Sequence, residues 1–187
     1  MKTIMFAAAT AAAMIAVPAS AGTLNAEVRV GDVRNGTSVD NTEYRVQWDA
    51  PIASGFTYGA EIQVKQAENE GRLNSKVSGK LGYQLPEVLG FHTIAYGEVG
   101  ENLQEGDNFG FWGAGVKTRH QVAGPVSISV GYRHREAFTA VERLQEDRLN
   151  AGLGFDLSKS DVLGVTYYRT TGTTRNDQIG VGITHRF

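Results

Sequence analysis

Alternation of apolar and polar residues in ten separate stretches constrains the fold of this chain more than any other feature. In Gln178–Phe187, Ile179, Val181 and Ile183 alternate with polar residues or glycine, and Phe187 ends the apolar side. A period of two is typical of a β-strand with one apolar and one polar face. The same period recurs in nine earlier stretches, which begin near Leu24, Glu43, Phe56, Leu73, Phe91, Phe111, Val126, Arg148 and Leu163. No helical period separates them, so the sequence predicts an all-β chain.

The connections between the predicted strands alternate between short and long. Compact turns are expected at Pro51–Gly55, Pro86–Gly90, Val122–Pro125 and Asp156–Ser160. Longer polar loops are expected at Val33–Asn41, Gln66–Arg72, Gly100–Asn108, Phe138–Asp147 and Thr171–Asn176. Short turns at one end, long loops at the other and an even strand number are typical of outer-membrane barrels. We therefore predict a closed antiparallel up-and-down transmembrane β-barrel of about ten strands, with eight or twelve as alternatives.

The N-terminal residues have the features of a secretory signal peptide. Lys2 precedes an apolar, alanine-rich run from Ile4 to Val17, and Ala19-Ser20-Ala21 forms a small-x-small cleavage site. The run is too short for a membrane helix of ~20 residues. We expect a signal peptide at residues 1–21 and a barrel at residues 22–187, exported to the outer membrane of a Gram-negative bacterium.

A soluble β-sandwich would show the same alternation with its apolar faces in a core. Two features favour apolar faces toward lipid and polar faces toward a lumen. The polar faces combine many glycines with opposite charges, such as Glu27 beside Arg29 and Glu43 beside Arg45. Aromatic residues gather near the strand ends, as membrane-interface anchors do. The predicted anchors are Trp48, Tyr58, Tyr83, Trp112, Tyr132, Tyr167 and Phe187.

The polar faces are predicted to carry an excess of positive charge. The fifth strand is left out, because either His92, Ile94 and Tyr96 or Phe91, Thr93, Ala95 and Val99 could face outward. The other strands bring eleven basic and four acidic residues to the lumen, a difference of +7, although the chain has a net charge of −2. The predicted selectivity residues are Arg29, Arg45, Lys76, Lys80, Lys117, Arg119, Arg133, Arg135 and Arg148. The balancing acids are expected in loops, at Asp40, Glu68, Glu70, Glu101, Glu105, Asp107, Glu142, Glu146, Asp147 and Asp177.

A basic wall in a confined passage attracts anions. The sequence therefore predicts a narrow porin-like channel for small anionic solutes. The alternative is a closed structural or surface-interaction barrel, because barrels of about eight strands are filled by their own side chains. In that case the acidic loops would bind a partner.

The chain resembles small bacterial outer-membrane barrels, and loosely the porins specific for oligogalacturonates. The residues that carry the likeness are Gly131-Tyr132-Arg133-His134-Arg135, the basic strands and the terminal Thr184-His185-Arg186-Phe187. Barrels of that family have twelve strands, whereas ten are predicted here, a difference that bears on pore width and solute. The resemblance implies contact with outer-membrane lipid and lipopolysaccharide, and recognition of Phe187 by the barrel-assembly machinery. No nucleic-acid partner is expected.

The sequence does not favour an enzyme. Lipid A deacylases of the outer membrane carry His-x-Ser on a strand, whereas His134 is followed by Arg135 and Glu136. His134 and Glu136 share a face and could form a general-base pair, but a histidine at the rim near lipopolysaccharide phosphates is the preferred interpretation. No metal-ligand spacing and no nucleotide motif occur, so we expect no cofactor.

Overall fold

The chain forms a closed ten-stranded antiparallel barrel. The computed structural model describes residues 22–35, 37–67, 73–104, 108–139, 144–173 and 175–187. Each strand pairs with its neighbours in sequence, and β1 closes the barrel by pairing with β10 from Thr23↔Arg186 to Arg34↔Arg175. The strands are β1 Thr23–Asn35, β2 Thr37–Pro51, β3 Phe56–Ala67, β4 Leu73–Gln84, β5 Phe91–Gln104, β6 Phe109–Ala123, β7 Val126–Ala137, β8 Gln145–Asp156, β9 Asp161–Gly172 and β10 Arg175–Arg186. The predicted fold class is confirmed, and the predicted signal peptide lies outside the described residues.

The barrel is apolar outside and polar inside. Leu153 and Val99 are 62% and 60% exposed on the outer face, whereas Arg135 and Glu61 are 0% and 1% exposed on the inner face. Period two makes this possible, because every strand sends alternate side chains to opposite faces. An exposed apolar belt around a closed sheet is suited to a lipid environment, where no backbone edge may be left unpaired. No described segment is a helix long and apolar enough to cross a membrane.

The strands extend further toward the loop end than the sequence predicted. The predicted loop Val33–Asn41 is wrong for most of its length, since β1 reaches Asn35 and β2 starts at Thr37. Likewise β5 runs on to Gln104, and β8 begins at Gln145. Polar and charged residues are a poor signal for loops in this chain. The hydrogen-bond ladder between two strands can continue beyond the apolar belt with polar residues on both faces. The tips of several loops, including Glu68, Glu70, Glu105, Asp107 and Glu142, lie outside the described residues.

The fifth strand, whose phase the sequence left open, places its odd residues outside. Val99 is 60% exposed on the outer face, while Glu98 and Asn102 are 3% and 2% exposed on the inner face. Of the two alternatives, the one with Phe91, Thr93, Ala95 and Val99 outward is therefore correct. The choice matters because it adds a carboxylate to the lumen.

The four predicted turns join the strands at the end of the barrel that holds Gly22 and Phe187. The tightest is Gly124-Pro125, between β6 and β7, where Gly124 has φ +51°. A residue with a side chain rarely adopts that φ, and proline fixes the next φ at about −65°. In the Pro51–Gly55 turn, Ser54 and Gly55 also have positive φ. We call this the turn end and the opposite one the loop end.

Candidate functional site

The lumen collects most of the charged residues of the strands. All nine predicted selectivity residues lie on its wall, as do Lys65 and Arg186. Among the described residues, the acidic ones on the wall number seven, not four: Glu27, Glu43, Asp49, Glu61, Glu98, Glu146 and Asp156. Eleven basic against seven acidic side chains leaves an excess of +4. The charge excess of the lumen is positive, as the sequence predicts, but it is smaller than the predicted +7.

Three acidic residues of the lumen are not among the four that the sequence predicts. The prediction of a loop at Glu146 is wrong, because β8 begins one residue before it and its side chain is buried in the lumen. Glu98 belongs to the strand whose phase the sequence leaves open, although the apolar Val99 beside it is a usable signal. Asp156, predicted in a turn, lies on the inner face at the end of β8 and pairs with Arg119 at 3.2 Å and Arg186 at 3.3 Å.

Four other acids assigned to loops belong to strands and face outward: Asp40, Glu101, Asp147 and Asp177. All four lie in the loop-end parts of their strands.

Glu61 is the centre of the ionic network in the lumen. Its carboxylate accepts hydrogen bonds from Arg45 at 2.7 Å, Arg133 at 3.1 Å and Arg135 at 2.9 Å. Lys80 pairs with the same carboxylate. The Gln63 amide is a fifth donor, at 2.5 Å. One carboxylate thus holds cations from β2, β4 and β7, and the three arginines have a second carboxylate partner in Glu27, Glu98 or Glu146.

Ion pairs cross the lumen and close it. Arg133 on β7 reaches Glu61 on β3 at 3.1 Å, and three strands lie between the two. Lys76 on β4 reaches Glu146 on β8 at 2.9 Å, across another three strands. Arg135 adds a bidentate contact with Glu98 at 2.6 and 3.0 Å. The Arg133, Arg135, Glu61, Glu98 and Glu146 side chains meet here and are almost fully buried, so this layer of ion pairs fills the lumen among the described residues. We call the ion pairs centred on Glu61, Glu98 and Glu146 the ionic cluster.

Two aromatic rings support the ionic cluster from inside the barrel. The Arg29 guanidinium lies 4.0 Å from the Tyr168 ring centre, and the Arg135 guanidinium lies 5.0 Å from that of Phe111. The Tyr168 hydroxyl donates to Glu27 at 2.6 Å. A cation over an aromatic face contributes about 0.5–2 kcal/mol. The alternation in β6 places Phe111 on the polar face of its strand, but nothing in the sequence indicates its contact with Arg135.

The ionic cluster separates two water-accessible cavities. The loop-end vestibule, of about 260 Å³, is lined by Lys65, Lys76, Glu43, Glu146 and many amides. The turn-end vestibule, of about 370 Å³, is lined by Arg45, Lys80, Lys117, Arg119 and Arg186, with Asp49 as its single lining acid among the described residues. Arg148 borders both. The lumen therefore consists of two vestibules with the ionic cluster between them.

The predicted interface anchors all lie on the outer face. Trp48 packs edge-on against Tyr58 with ring centres 5.0 Å apart, and Tyr83 packs against Phe56 near the turn end. Trp112 lies toward the loop end. At midstrand, the hydroxyls of Tyr132 and Tyr167 donate to Asp147 at 2.5 Å and to Asp177 at 2.8 Å. Phe187 donates its N–H to Gly22 O at 3.0 Å.

His134 lies on the outer face, as the sequence predicted, with an unexpected partner. Its Nδ1 is 2.9 Å from Asp147, while Glu136 is 3.7 Å from Nε2. No group of three described His, Asp or Glu side chains has the geometry to hold a metal ion.

The fold is similar to that of solved outer-membrane barrels. The KdgM porin in complex with disordered oligogalacturonate superposes with a TM-score of 0.51 at 14% identity, covering 88% of this chain and 99% of that one. The β domain of the Bordetella autotransporter BrkA superposes with a TM-score of 0.58 at 12% identity, covering 88% and 98%. No family model and no curated protein matches the sequence. At such identities the likeness establishes the barrel fold.

Proposed function

We propose that this protein is an integral outer-membrane barrel that forms a narrow, anion-preferring pore. The observation that carries the proposal is the pair of vestibules, one at each end of a lumen with an excess of four positive charges. A confined basic wall concentrates anions and repels cations. The ionic cluster is the constriction, so passage requires its side chains to move. We propose that lipid and lipopolysaccharide surround the outer face. We propose no catalytic role.

The ion pairs that cross the lumen also favour a second candidate. Buried charges that meet from opposite walls hold a small barrel together without leaving a path. In that case the protein is a closed structural or surface-interaction barrel, and its acidic loop end binds a partner.

Recordings of the purified full chain in planar bilayers under a KCl gradient separate the two candidates. We expect small conductance steps and a reversal potential whose sign shows preference for chloride, because mobile anions meet the unpaired basic side chains. Cation preference would overturn the anion proposal. A silent protein that remains folded would favour the closed barrel.

We also propose that Phe187 is the residue by which the barrel-assembly machinery recognises the last strand. Deletion of Phe187 is expected to lower the amount of folded, heat-modifiable barrel in the outer membrane several-fold. The deletion removes an N–H bond to Gly22 and a ring packed 4.7 Å from His185. Phe187→Tyr, which keeps the ring and the backbone, is the control and should assemble normally. Equal assembly of the deletion and the full chain would contradict the proposal.

A further inference from the structure

The two vestibules differ sharply in charge. Three basic residues line the loop-end vestibule, Lys65, Lys76 and Arg148, against the two carboxylates of Glu43 and Glu146. Eight basic residues among those described line the turn-end vestibule, Arg29, Arg45, Lys80, Lys117, Arg119, Arg133, Arg148 and Arg186, against the one carboxylate of Asp49. Most of the positive excess of the lumen therefore lines the turn-end vestibule.

Several cations of the turn-end vestibule are incompletely neutralised. Lys80 shares the carboxylate of Glu61, its one ion-pair partner among the described residues, with three arginines. One of them, Arg45, also lies 3.5 Å from Glu27. Lys117 is exposed inside the vestibule and forms neither an ion pair nor a hydrogen bond with any described residue. Arg148 adds positive charge to the same wall, although its guanidinium lies 3.7 Å from Glu43 and 3.2 Å from Glu146. The Lys117 ammonium is therefore the donor available to a ligand.

A side cavity of about 110 Å³ lies beside Lys117 and Arg119, and several small residues line it. They include the hydroxyls of Ser127, Ser129 and Thr166 and three glycines. Glu27 also lines this cavity, and its carboxylate accepts hydrogen bonds from Arg29 and Tyr168. Hydroxyls can donate to oxyanions, and glycines leave room for them. At Gly164 an added Cβ would meet nothing nearer than 3.9 Å, so there is room for a ligand group beside this glycine.

We propose that the turn-end vestibule is a binding site for a small oxyanion with two or more negative charges, such as a phosphate compound or a di- or tricarboxylate. A cavity of about 370 Å³ is within the size range of small-molecule sites. Ionised donors form the strongest hydrogen bonds to such groups. The proposal deepens the proposed function, on which its biological sense rests, but binding itself requires no passage through the ionic cluster.

Isothermal titration of the detergent-solubilised full chain with pyrophosphate and, separately, with citrate tests the site. We expect saturable binding of at least one probe, and Lys117→Gln should weaken it about tenfold or more, the size of a lost hydrogen bond to a charged group. Lys65→Gln is the matched control, because Lys65 lines the other vestibule and has no ion pair with any residue that the structure describes. It should change affinity less than twofold. Binding of one probe identifies phosphate or carboxylate as the preferred group.

Gly164→Phe tests the same site by filling space without changing charge. The ring should occupy the side cavity and abolish binding. Gly97→Phe is its control, because Gly97 faces outward and an added Cβ there also meets nothing nearer than 3.9 Å. Failure of both probes to bind the wild type, or equal effects of Lys117→Gln and Lys65→Gln, would overturn the site. If the protein binds a probe but conducts no ions, the proposed pore is wrong and the binding site stands. If it conducts anions but binds neither probe, the binding site is wrong and the proposed pore stands.

Discussion

Replacing Glu61 by glutamine is expected to lower the free energy of unfolding by about 3–5 kcal/mol, the cost of removing one partner from a buried ionic network. Glu61 is 1% exposed and pairs with Arg45, Lys80, Arg133 and Arg135. Glutamine keeps the size but removes one carboxylate from each of the three arginines and the one ion-pair partner that Lys80 has among the described residues. Urea unfolding in lipid vesicles, followed by tryptophan fluorescence, measures the change.

Glu101→Gln is the matched control for that substitution. Glu101 belongs to β5 but is exposed on the outer face near the loop end. Removing its charge should alter the free energy of unfolding by less than about 0.5 kcal/mol, as is usual at the surface. If the two variants unfold at the same urea concentration, Glu61 does not hold the ionic cluster together.

Removing Arg135 and Glu98 together is expected to raise single-channel conductance several-fold. Both side chains are nearly inaccessible to water, and neither borders a vestibule. Along β5, Glu98 lies between Tyr96 at the turn-end vestibule and Asn102 at the loop-end vestibule. Alanine at both positions would join the two cavities while removing one positive and one negative charge. The net charge of the lumen is unchanged, so anion preference should persist.

The control for the double variant is Arg169→Ala with Asp177→Ala. These residues are paired across β9 and β10 on the outer face. The control therefore also removes one positive and one negative charge, but outside the lumen. Planar-bilayer recordings should show the wild-type conductance for this control. An unchanged conductance in the Arg135 and Glu98 variant, with the barrel still folded, would place the constriction elsewhere.

The sequence was sufficient to predict which face of nine strands is polar. In Gln178–Phe187, for example, the period of two determines the face of every side chain once the strand is in a barrel. Strand number and turn positions followed from the same pattern. The fifth strand was the exception, because Phe91–Val99 mixes apolar and polar residues on both faces. Its phase was decided by the ladder with β4, where Glu98 lies opposite Lys80.

The sequence alone determined a closed, inside-out barrel with a basic lumen, because alternation is a local property of each strand. Only the tertiary structure decided that the lumen is closed in the middle. Glu61 and Arg133 are 72 residues apart in sequence and lie on strands separated by three others. Pairing across a lumen depends on barrel diameter and on the relative height of strands, and neither is encoded by the period of a single strand. For the same reason, only the folded barrel could show that the positive excess lies toward the turn end.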